Sequence, residues 1–351
     1  MAVARNAVSR ATSPTTVSSR LTQQRLRRGL LATAAAAVLA MLLGLVMGSV
    51  VLDPASLLDP EATEHLIFVQ LRLPRVLLAA IVGGALAVSG AALQPTLRNP
   101  LASPEIIGVS GGAALAAVAA LALLPDVGAT RDLVPFVAFG GAALSSVLVY
   151  RLAHVRGRLD PYSQVLIGVI FNTFAAALIL LIHALVDLAR SHSIVFWMMG
   201  GIAIEPYRTL VLVSVLVAVP TVVLVRESHA LNLLALGDDT ARTLGIDSDR
   251  TRRRVFAASS LLVGAVVSLC GIITFAGLIV PHVLRRLLGS DNRLLVPASF
   301  FGGAAFLVTC DALARWLVAP AELPVGAITA LTGGPFFIYL LRRMPLRRDV
   351  L

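Results

Sequence analysis

Apolar segments of about 20 residues recur along almost the whole chain after Leu30, and this repetition constrains the fold more than any other feature. Each segment is long enough to cross the roughly 30 Å hydrocarbon core of a bilayer as an α-helix. Hydrophobic residues make up 58% of the 351 residues and charged residues 14%, a balance that one soluble core could not bury. The sequence therefore predicts an all-α polytopic membrane protein.

We predict about ten membrane spans. The seventh and eighth are separated only by a break centred on Gly271, and the eighth is short, so we expect a half-length helix packed against protein. Interrupted helices are typical of transporters. The predicted spans are Leu30–Val51, Val76–Leu93, Ile106–Leu124, Leu133–Leu152, Gln164–Val186, Leu210–Val225, Val255–Ile272, Phe275–Leu288, Leu295–Val318 and Gly326–Leu341.

The basic residues fix the orientation of these spans. With the N-terminus inside, 23 of the 29 arginines fall in cytoplasmic segments, so both termini are predicted to be cytoplasmic. The chain has no lysine, which a P-loop needs for its phosphates, so it is not itself a Walker-type ATPase. Cys270 and Cys310 lie in apolar runs without metal-ligand spacing and are interpreted as small buried hydrophobes.

The chain divides into one membrane domain with two short tails. Residues 1–28 are rich in Ser, Thr and Arg without an acidic residue, and they predict a disordered basic cytoplasmic tail. An organelle transit peptide is the alternative, but the apolar run that follows is longer than a signal-peptide core. Residues 29–343 form the predicted transmembrane domain, and residues 344–351 form a cytoplasmic C-terminal tail.

The cytoplasmic segment from Arg226 to Arg254 predicts a short helix of about two turns. Asp238 or Asp239 is a suitable N-cap, and Gly245 stands where a C′ glycine belongs. Asp247 is predicted to cap the next membrane helix. Two interpretations remain open, namely a helix lying on the lipid headgroups or a docking element for a cytoplasmic partner.

Ionisable residues near the spans raise a second class of function, a gradient-driven carrier or a membrane enzyme with a metal site. Their placement argues against both, because several fall at outer ends where water solvates them. We predict that His282 hydrogen-bonds backbone carbonyls in a helix broken at Pro281, and that Glu322 caps the helix after Pro324. The residues considered are His183, Asp187, His192, His282, Asp311 and Glu322.

Several long motifs follow one another in a fixed order, and through them the chain resembles permeases of the FecCD type. These are the membrane subunits of ABC importers for ferric siderophores, haem and vitamin B12. The resemblance runs from Leu71 to Arg343. Its motifs are LRLPR at Leu71–Arg75, SGAALQPTLRNPLASPEIIGVSGGAAL at Ser89–Leu115, FWMMGGI at Phe196–Ile202, LALGDDTARTLGI at Leu234–Ile246, and the block from FAGLIVPHVLRRLLG to AELPVGAITALTGGPFF at Phe275–Phe337.

The resemblance implies the type II ABC importer permease architecture, a ten-helix protomer in the bacterial cytoplasmic membrane. The expected partners are a second copy or a paralogue, two cytoplasmic ATP-binding subunits, an extracytoplasmic siderophore-binding protein and membrane lipid, with no nucleic acid. ATP and Mg would be used by the ATPase, and this chain binds no cofactor or metal. The implied function is import of ferric siderophore by alternating access, with cobalamin and haem left open as cargoes.

The resemblance also implies residue roles by position. ATPase coupling is expected of Leu236, Gly237, Ala241, Arg242, Leu244 and Gly245. Arg72, Arg75 and Arg315 are expected to pair with glutamates of the binding protein; alternatively, Arg315 pairs with Asp311 one turn earlier and the other two reach headgroups. The cytoplasmic gate would include Pro161, Tyr162 and Ser163, although Tyr162 could instead anchor the span at the interface.

A last group of residues is predicted to break or pack helices. Pro104 should begin the helix of the third span, since a first-turn proline loses no hydrogen bond. Close packing is the expected role of Gly108 and Gly111. The full group is Pro74, Asn99, Pro100, Pro104, Gly108, Gly111, Gly271, Pro281, His282 and Pro324.

Overall fold

The computed structural model describes residues 22–48, 59–124, 128–155 and 158–343, and within them it is almost wholly helical. A π-helical segment, Ile67–Arg72, joins α2 to α3, and a 3₁₀ helix, Pro104–Ile107, precedes α4. A small antiparallel hairpin pairs His154–Val155 with Arg158–Leu159. The α-helices are α1 Gln23–Val46, α2 Thr63–Leu66, α3 Leu73–Thr96, α4 Val109–Leu123, α5 Gly128–Leu152, α6 Pro161–Leu185, α7 Leu188–Met198, α8 Tyr207–Leu234, α9 Asp238–Thr243, α10 Ser248–Cys270, α11 Ala276–Leu288, α12 Asn292–Trp316 and α13 Val325–Arg343.

Seven segments in the described ranges are long and apolar enough to cross a membrane. They lie in α1, in the continuous run from α2 to α3, and in α5, α6, α8, α10 and α12. Two shorter apolar helices, α4 and α13, and the 13-residue α11 account for the other predicted spans. Gly271 ends α10 at φ 67°, so the predicted break and the half-length helix after it are confirmed.

The bundle has a protein-buried centre and an apolar periphery. In the helical segment from α2 to α3, 83% of the most apolar 18-residue stretch is buried inside the protein. The corresponding values for α10 and α12 are 72% and 61%. The corresponding value for α6 is only 17%. The outer helices therefore present apolar side chains that only lipid or another chain can cover.

Glycines set how closely α3 approaches its neighbours. A side-chain carbon at Gly83 would overlap the backbone of Gly303 in α12, and one at Gly303 would overlap Gly83. Gly90 faces the Gly277 carbonyl of α11 in the same way. Small residues at a crossing let helix backbones pack directly, and this holds the central helices together where no hydrophobic effect acts between them.

The helices extend further than hydropathy indicates. α8 continues nine residues past its predicted end at Val225, and α10 begins at Ser248 rather than at Val255, so most of the segment 226–254 is helical. α1 begins at Gln23, inside the predicted tail. Arginine and glutamate are good helix formers in water, and hydropathy marks only the part of a helix that lies in lipid. Residues 1–21 and 344–351 of the predicted tails lie outside the described residues.

Candidate functional sites at the two ends of the bundle

A short helix, α9, stands at the arginine-rich end of the bundle, joined to α8 by three residues. Its N-cap is Gly237, at φ 122° and ψ 153°, a conformation open almost only to glycine. The prediction that Asp238 or Asp239 caps this helix is therefore wrong, because the sharp turn from α8 needs glycine at the cap position. Gly245 at φ 82° occupies the C′ position, as predicted.

The two faces of α9 differ in exposure. Ala241 is fully buried against the bundle, whereas Leu236 and Leu244 are 67% and 58% exposed. The Arg242 side chain is also exposed. Leucines on a polar surface favour a protein that covers them. The helix is fixed on one side and has an apolar contact surface on the other.

Asp238 joins α9 to two central helices. Its carboxylate lies 2.9 Å from the Arg98 guanidinium, just after α3, and 2.5 Å from the guanidinium of Arg252 in α10. Arg98 also donates to the Leu234 carbonyl at the end of α8. The side chain of Arg252 is 4% exposed and that of Asp238 is 31% exposed, so water still reaches the carboxylate.

Asp249 forms a second bridge, towards α6. Its carboxylate lies 3.6 Å from Arg242 of α9 and 3.7 Å from Arg158 of the hairpin. The hairpin leads directly into Asp160, whose carboxylate accepts the Ser163 N–H at 2.7 Å and caps α6.

The predicted gate residues lie in the first turn of α6. Pro161 is its first residue, and Tyr162 is 76% exposed. The hairpin with Arg158 thus leads from the second bridge into this turn. The gate assignment stays a prediction.

α8 and α12 are tied together beside this network. Asn232 donates to the Asp291 carboxylate at 2.8 Å and accepts from the backbone N–H of Asn292. Hydrogen bonds from Arg293, chiefly, and from Asn232 lower the pKa of Asp291 to about 2. On α10, Asp247 accepts the Arg250 N–H at 2.9 Å and caps the helix, as predicted.

The opposite end of the bundle holds a buried ion-pair cluster centred on Asp311, which is 0% exposed. Arg75 of α3 donates to one carboxylate oxygen at 3.0 Å, and Arg315 donates to the other at 3.0 Å. A second nitrogen of Arg75 lies 2.7 Å from Glu322. The prediction that Glu322 caps α13 is wrong, because the loop before that helix brings its carboxylate to Arg75.

Backbone carbonyls at the end of α1 complete this cluster. Arg315 donates to Gly44 at 2.9 Å and to Met47 at 2.8 Å. Arg72 donates to Leu45 at 2.8 Å. Carbonyls at a helix C-terminus lack intrahelical partners, so arginines satisfy them well.

The three outer arginines are therefore not free at the surface. Arg72, Arg75 and Arg315 are 6%, 8% and 6% exposed, so the expectation that Arg72 and Arg75 reach headgroups is wrong. The expected alternative pairing of Arg315 with Asp311 is present. Docking of a binding protein by these arginines stays a prediction. Such docking requires that at least one of the side chains in the cluster can give up its present partner.

Within the described part of the chain, neither ring nitrogen of His282 has a hydrogen-bond partner, so the predicted bonds to carbonyls are absent. The reason lies in α11, which continues through Pro281 without a break. Pro281 frees only the carbonyl four residues earlier, that of Gly277, and this carbonyl faces Gly90 of α3. The His282 ring instead lies 6.3 Å from the ring of Phe336.

The remaining predicted breaks lie at helix ends. Pro104 begins the 3₁₀ helix rather than α4, because Gly108 at φ 82° turns the chain between the two. Gly111 faces Asn172 of α6 with no space for a side chain. Pro74 lies in the first turn of α3.

Asn99, Pro100 and Pro324 shape turns. The Asn99 side chain accepts the Leu101 N–H across Pro100 at 2.9 Å, and the Pro324 carbonyl accepts an N–H in the first turn of α13. Among the described residues, no group of three or more His, Cys, Asp or Glu could hold a metal ion.

Comparison with known proteins identifies the family. A model of the FecCD transport family matches residues 35–343. The chain belongs to this family. The FecCD chain is 40% identical to the vitamin B12 import system permease protein BtuC of Vibrio vulnificus, over 92% of this chain and 96% of the relative.

Other relatives are named for different cargoes. The chain is 39% identical to the hemin transport system permease protein HmuU of Yersinia pestis, over 82% of this chain and 86% of the relative. It is 40% identical to the iron(3+)-hydroxamate import system permease protein FhuB of Bacillus subtilis, over 81% and 73%. A solved inward-facing structure of a metal-chelate type ABC transporter matches 91% of this chain and 100% of its own, with a TM-score of 0.80 and 31% identity.

The FecCD chain is accordingly a multi-pass permease subunit of an ABC importer, a transport component rather than an enzyme. Its family membership argues against the gradient-driven carrier and the membrane enzyme.

Proposed function

We propose that this permease imports ferric siderophore by alternating access, driven by a separate ATPase that docks on α9. The observation that carries the proposal is the construction of α9, which is held by ion pairs to the ends of α3 and α10 while the leucines that flank it, Leu236 and Leu244, stay exposed. An element that is anchored on one side and apolar on the other can pass a partner's displacement into the bundle.

Leu236 and Leu244 flank the exposed side of α9 and would enter a cleft of the ATPase. Gly237 and Gly245 form the chain reversals at the two ends of the helix. These turns would keep the orientation of α9 fixed when the ATPase moves against it. ATP and Mg stay on the partner, since this chain has no lysine with which to build a P-loop.

Two ion-pair bridges would transmit the motion of α9, one through its own Asp238 and one from its Arg242 to Asp249 of α10. Asp238 pulls on α3 and α10, and Asp249 connects α9 to the hairpin before α6. The predicted gate residues Pro161, Tyr162 and Ser163 form the first turn of that helix. A shift of α9 therefore changes the position of the gate, which is how nucleotide binding would open or close the pathway.

At the external end, Glu322 is the exchangeable member of the ion-pair cluster. Its side chain is 53% exposed, whereas that of its partner Arg75 is 10% exposed. A glutamate of the siderophore-binding protein could displace Glu322 and take over the guanidinium without uncovering Asp311. Docking would then keep every buried charge paired.

Cobalamin and haem are the second candidate cargoes, favoured by the 40% and 39% identities to the B12 and hemin permeases. The decisive experiment is uptake into proteoliposomes that contain the permease, its ATPase and its binding protein. Uptake of radioiron-loaded siderophore, labelled cobalamin and labelled haem is measured in the presence of ATP and, separately, in the presence of a non-hydrolysable ATP analogue.

The proposal is supported if only the iron chelate accumulates, and if it does so with ATP but not with the analogue. Accumulation of cobalamin or haem instead keeps the mechanism and replaces the cargo. ATP-dependent uptake that persists without the ATPase subunit would overturn the proposed energy source.

A further inference from the structure

A groove runs along the outer surface between α5 and α10, with a volume of about 420 Å³. Small residues create it, chiefly Ala142, Ala143, Ala257 and Gly264, and aromatic rings form its walls. The only charged side chain among its described lining residues is Arg253, near the cytoplasmic start of α10.

The length of the groove matches one leaflet of a bilayer. From Arg253 to Gly264 the axis of α10 rises about 17 Å, at 1.5 Å per residue, which is about half of a 30 Å hydrocarbon core. Phe139 lines the deep end, next to Gly264. The groove therefore starts at the arginine-rich surface and ends near the middle of the membrane.

Arg253 differs from its neighbours in having no anionic partner within the described residues. Arg252 pairs with Asp238, and Arg254 pairs with Glu227 at 2.6 Å. The Arg253 side chain is exposed at the mouth of the groove. A guanidinium in this position favours a phosphate, which it can hold by two hydrogen bonds.

A second polar group in the wall is also unpartnered. The Ser260 hydroxyl lines the groove, Ser260 is 8% exposed, and no described residue accepts or donates a hydrogen bond to that hydroxyl. A buried hydroxyl without a partner is unfavourable. Ser260 lies about 10 Å further along α10 than Arg253, at the depth of an acyl chain of a lipid whose phosphate is held by Arg253.

We propose that this groove binds an anionic glycerophospholipid of the cytoplasmic leaflet, with its phosphate on Arg253 and an acyl chain between α5 and α10. A phosphate-free lipid would fill the groove but leave the guanidinium without an anion, and in phosphatidylcholine the choline cation offsets the attraction of the phosphate to Arg253. A partner's transmembrane helix would follow both this groove and the cavity that shares Phe139 with it and continues along α5 and α10 towards the opposite end, so crosslinking distinguishes that occupant from a lipid. The charge at one end and the apolar depth together select a phospholipid.

The test uses the full-length permease, purified in detergent and exchanged into equal amounts of phosphatidylglycerol and phosphatidylcholine. Native mass spectrometry counts the lipids that remain bound. We expect phosphatidylglycerol to be retained over phosphatidylcholine, and Arg253→Gln to reduce this preference about fivefold. Arg286→Gln makes the same charge change at an exposed residue of α11, away from the groove, and should leave the preference unchanged.

A second pair of variants tests the groove itself. Ala143→Trp fills it, while Leu144→Trp places the same side chain on the next residue, which is 73% exposed and does not line the groove. Only the first should lose bound lipid.

A phosphatidylglycerol with a photoreactive acyl chain gives a readout that needs no variant, and its adducts should map to α5 and α10. Equal retention by Arg253→Gln and Arg286→Gln, adducts elsewhere, or crosslinks between two permease copies across the groove would each overturn the proposal.

Discussion

Both ends of the bundle contain an aspartate that bridges two arginines, but the two sites differ in burial. Outside, Asp311 is 0% exposed between Arg75 and Arg315. Inside, the side chain of Asp238 is 31% exposed between Arg98 and Arg252. The same grouping of charges therefore has two different consequences for the protein.

The difference follows from the cost of separating charges. A fully buried pair cannot open without leaving a charge in a low-dielectric environment, so the outer cluster holds α3 and α12 at a fixed distance. A partly hydrated pair exchanges its protein partner for water at little cost. The inner bridge can thus re-form in another arrangement, as an element that moves during transport must.

The largest expected effect is on the outer cluster. Asp311→Asn leaves the buried Arg315 without a carboxylate and Arg75 with only the half-exposed Glu322, which should destabilise the protein by about 3–5 kcal/mol. Thermal unfolding in detergent measures this. Glu322→Gln, at a 53% exposed side chain, is the control and should cost less than about 1 kcal/mol. Equal melting temperatures for the two variants would contradict the division between a fixed and a movable end.

Gly237→Val should affect transport more than folding. Its φ of 122° strains any side chain by about 1–3 kcal/mol, so α9 would be re-oriented. ATP-driven uptake should fall about tenfold or more while the melting temperature changes little. Gly140→Val, at a glycine of α5 where an added side-chain carbon meets no atom within 4 Å, is the matched control. Normal uptake by Gly237→Val would exclude the coupling role of the loop.

Asp238→Asn should weaken the connection between α9 and the central helices. We expect the free energy of coupling between α9 and these helices to fall by about 1 kcal/mol. The amount of cargo imported per ATP hydrolysed should then fall about fivefold. Its neighbour Asp239 is exposed and forms no ion pair with a described residue, so Asp239→Asn serves as the control. If both variants couple normally, the bridge does not transmit motion.

Glu322→Gln has a further expected effect, on the binding protein. If Glu322 competes for Arg75, its removal should tighten docking about two- to threefold, most clearly at low salt. Surface-immobilised permease in nanodiscs with the binding protein in solution measures this. Weaker or unchanged docking would show that no exchange of partners occurs at Arg75.

The smallest effect concerns acid stability at the α8–α12 junction. The pKa of Asp291 is about 2 in the folded protein and about 3.9 when unfolded, so its stabilisation is complete above pH 3.9 and is lost as pH falls towards 2. The free energy of unfolding, measured at pH 5 and at pH 3, should fall less between these two pH values for Asp291→Asn than for the unsubstituted protein. Parallel losses would exclude this carboxylate as a contributor.

Local sequence patterns predicted correctly those features that depend on contacts between residues close together in the sequence. The cap by Asp247, the C′ glycine at Gly245 and the break at Gly271 are each decided within a few residues. The predictions for Glu322 and His282 were wrong because their surroundings come from α3 and α13, far away in sequence. The amphipathic α7 was not predicted at all, since it has only 11 residues and its first half contains the polar run Arg190 to Ser193.

The bridging roles of Asp238 and Asp249 were also missed. A signal was present, because four aspartates and five arginines lie between residues 238 and 254. Which arginine meets which aspartate depends on how α3, α9, α10 and the hairpin converge, and no local rule determines that.

The sequence by itself determined a polytopic helical membrane protein, its arginine-based orientation, its helix breaks and the short cytoplasmic helix, because apolar length, charge asymmetry and glycine conformations are local properties. Only the tertiary structure decided which charges are buried together at the outer end, which stay hydrated at the inner end, and where an unpaired arginine meets an apolar groove. Those outcomes depend on contacts between residues as far apart as Arg75 and Glu322, and burial is a property of the assembled bundle.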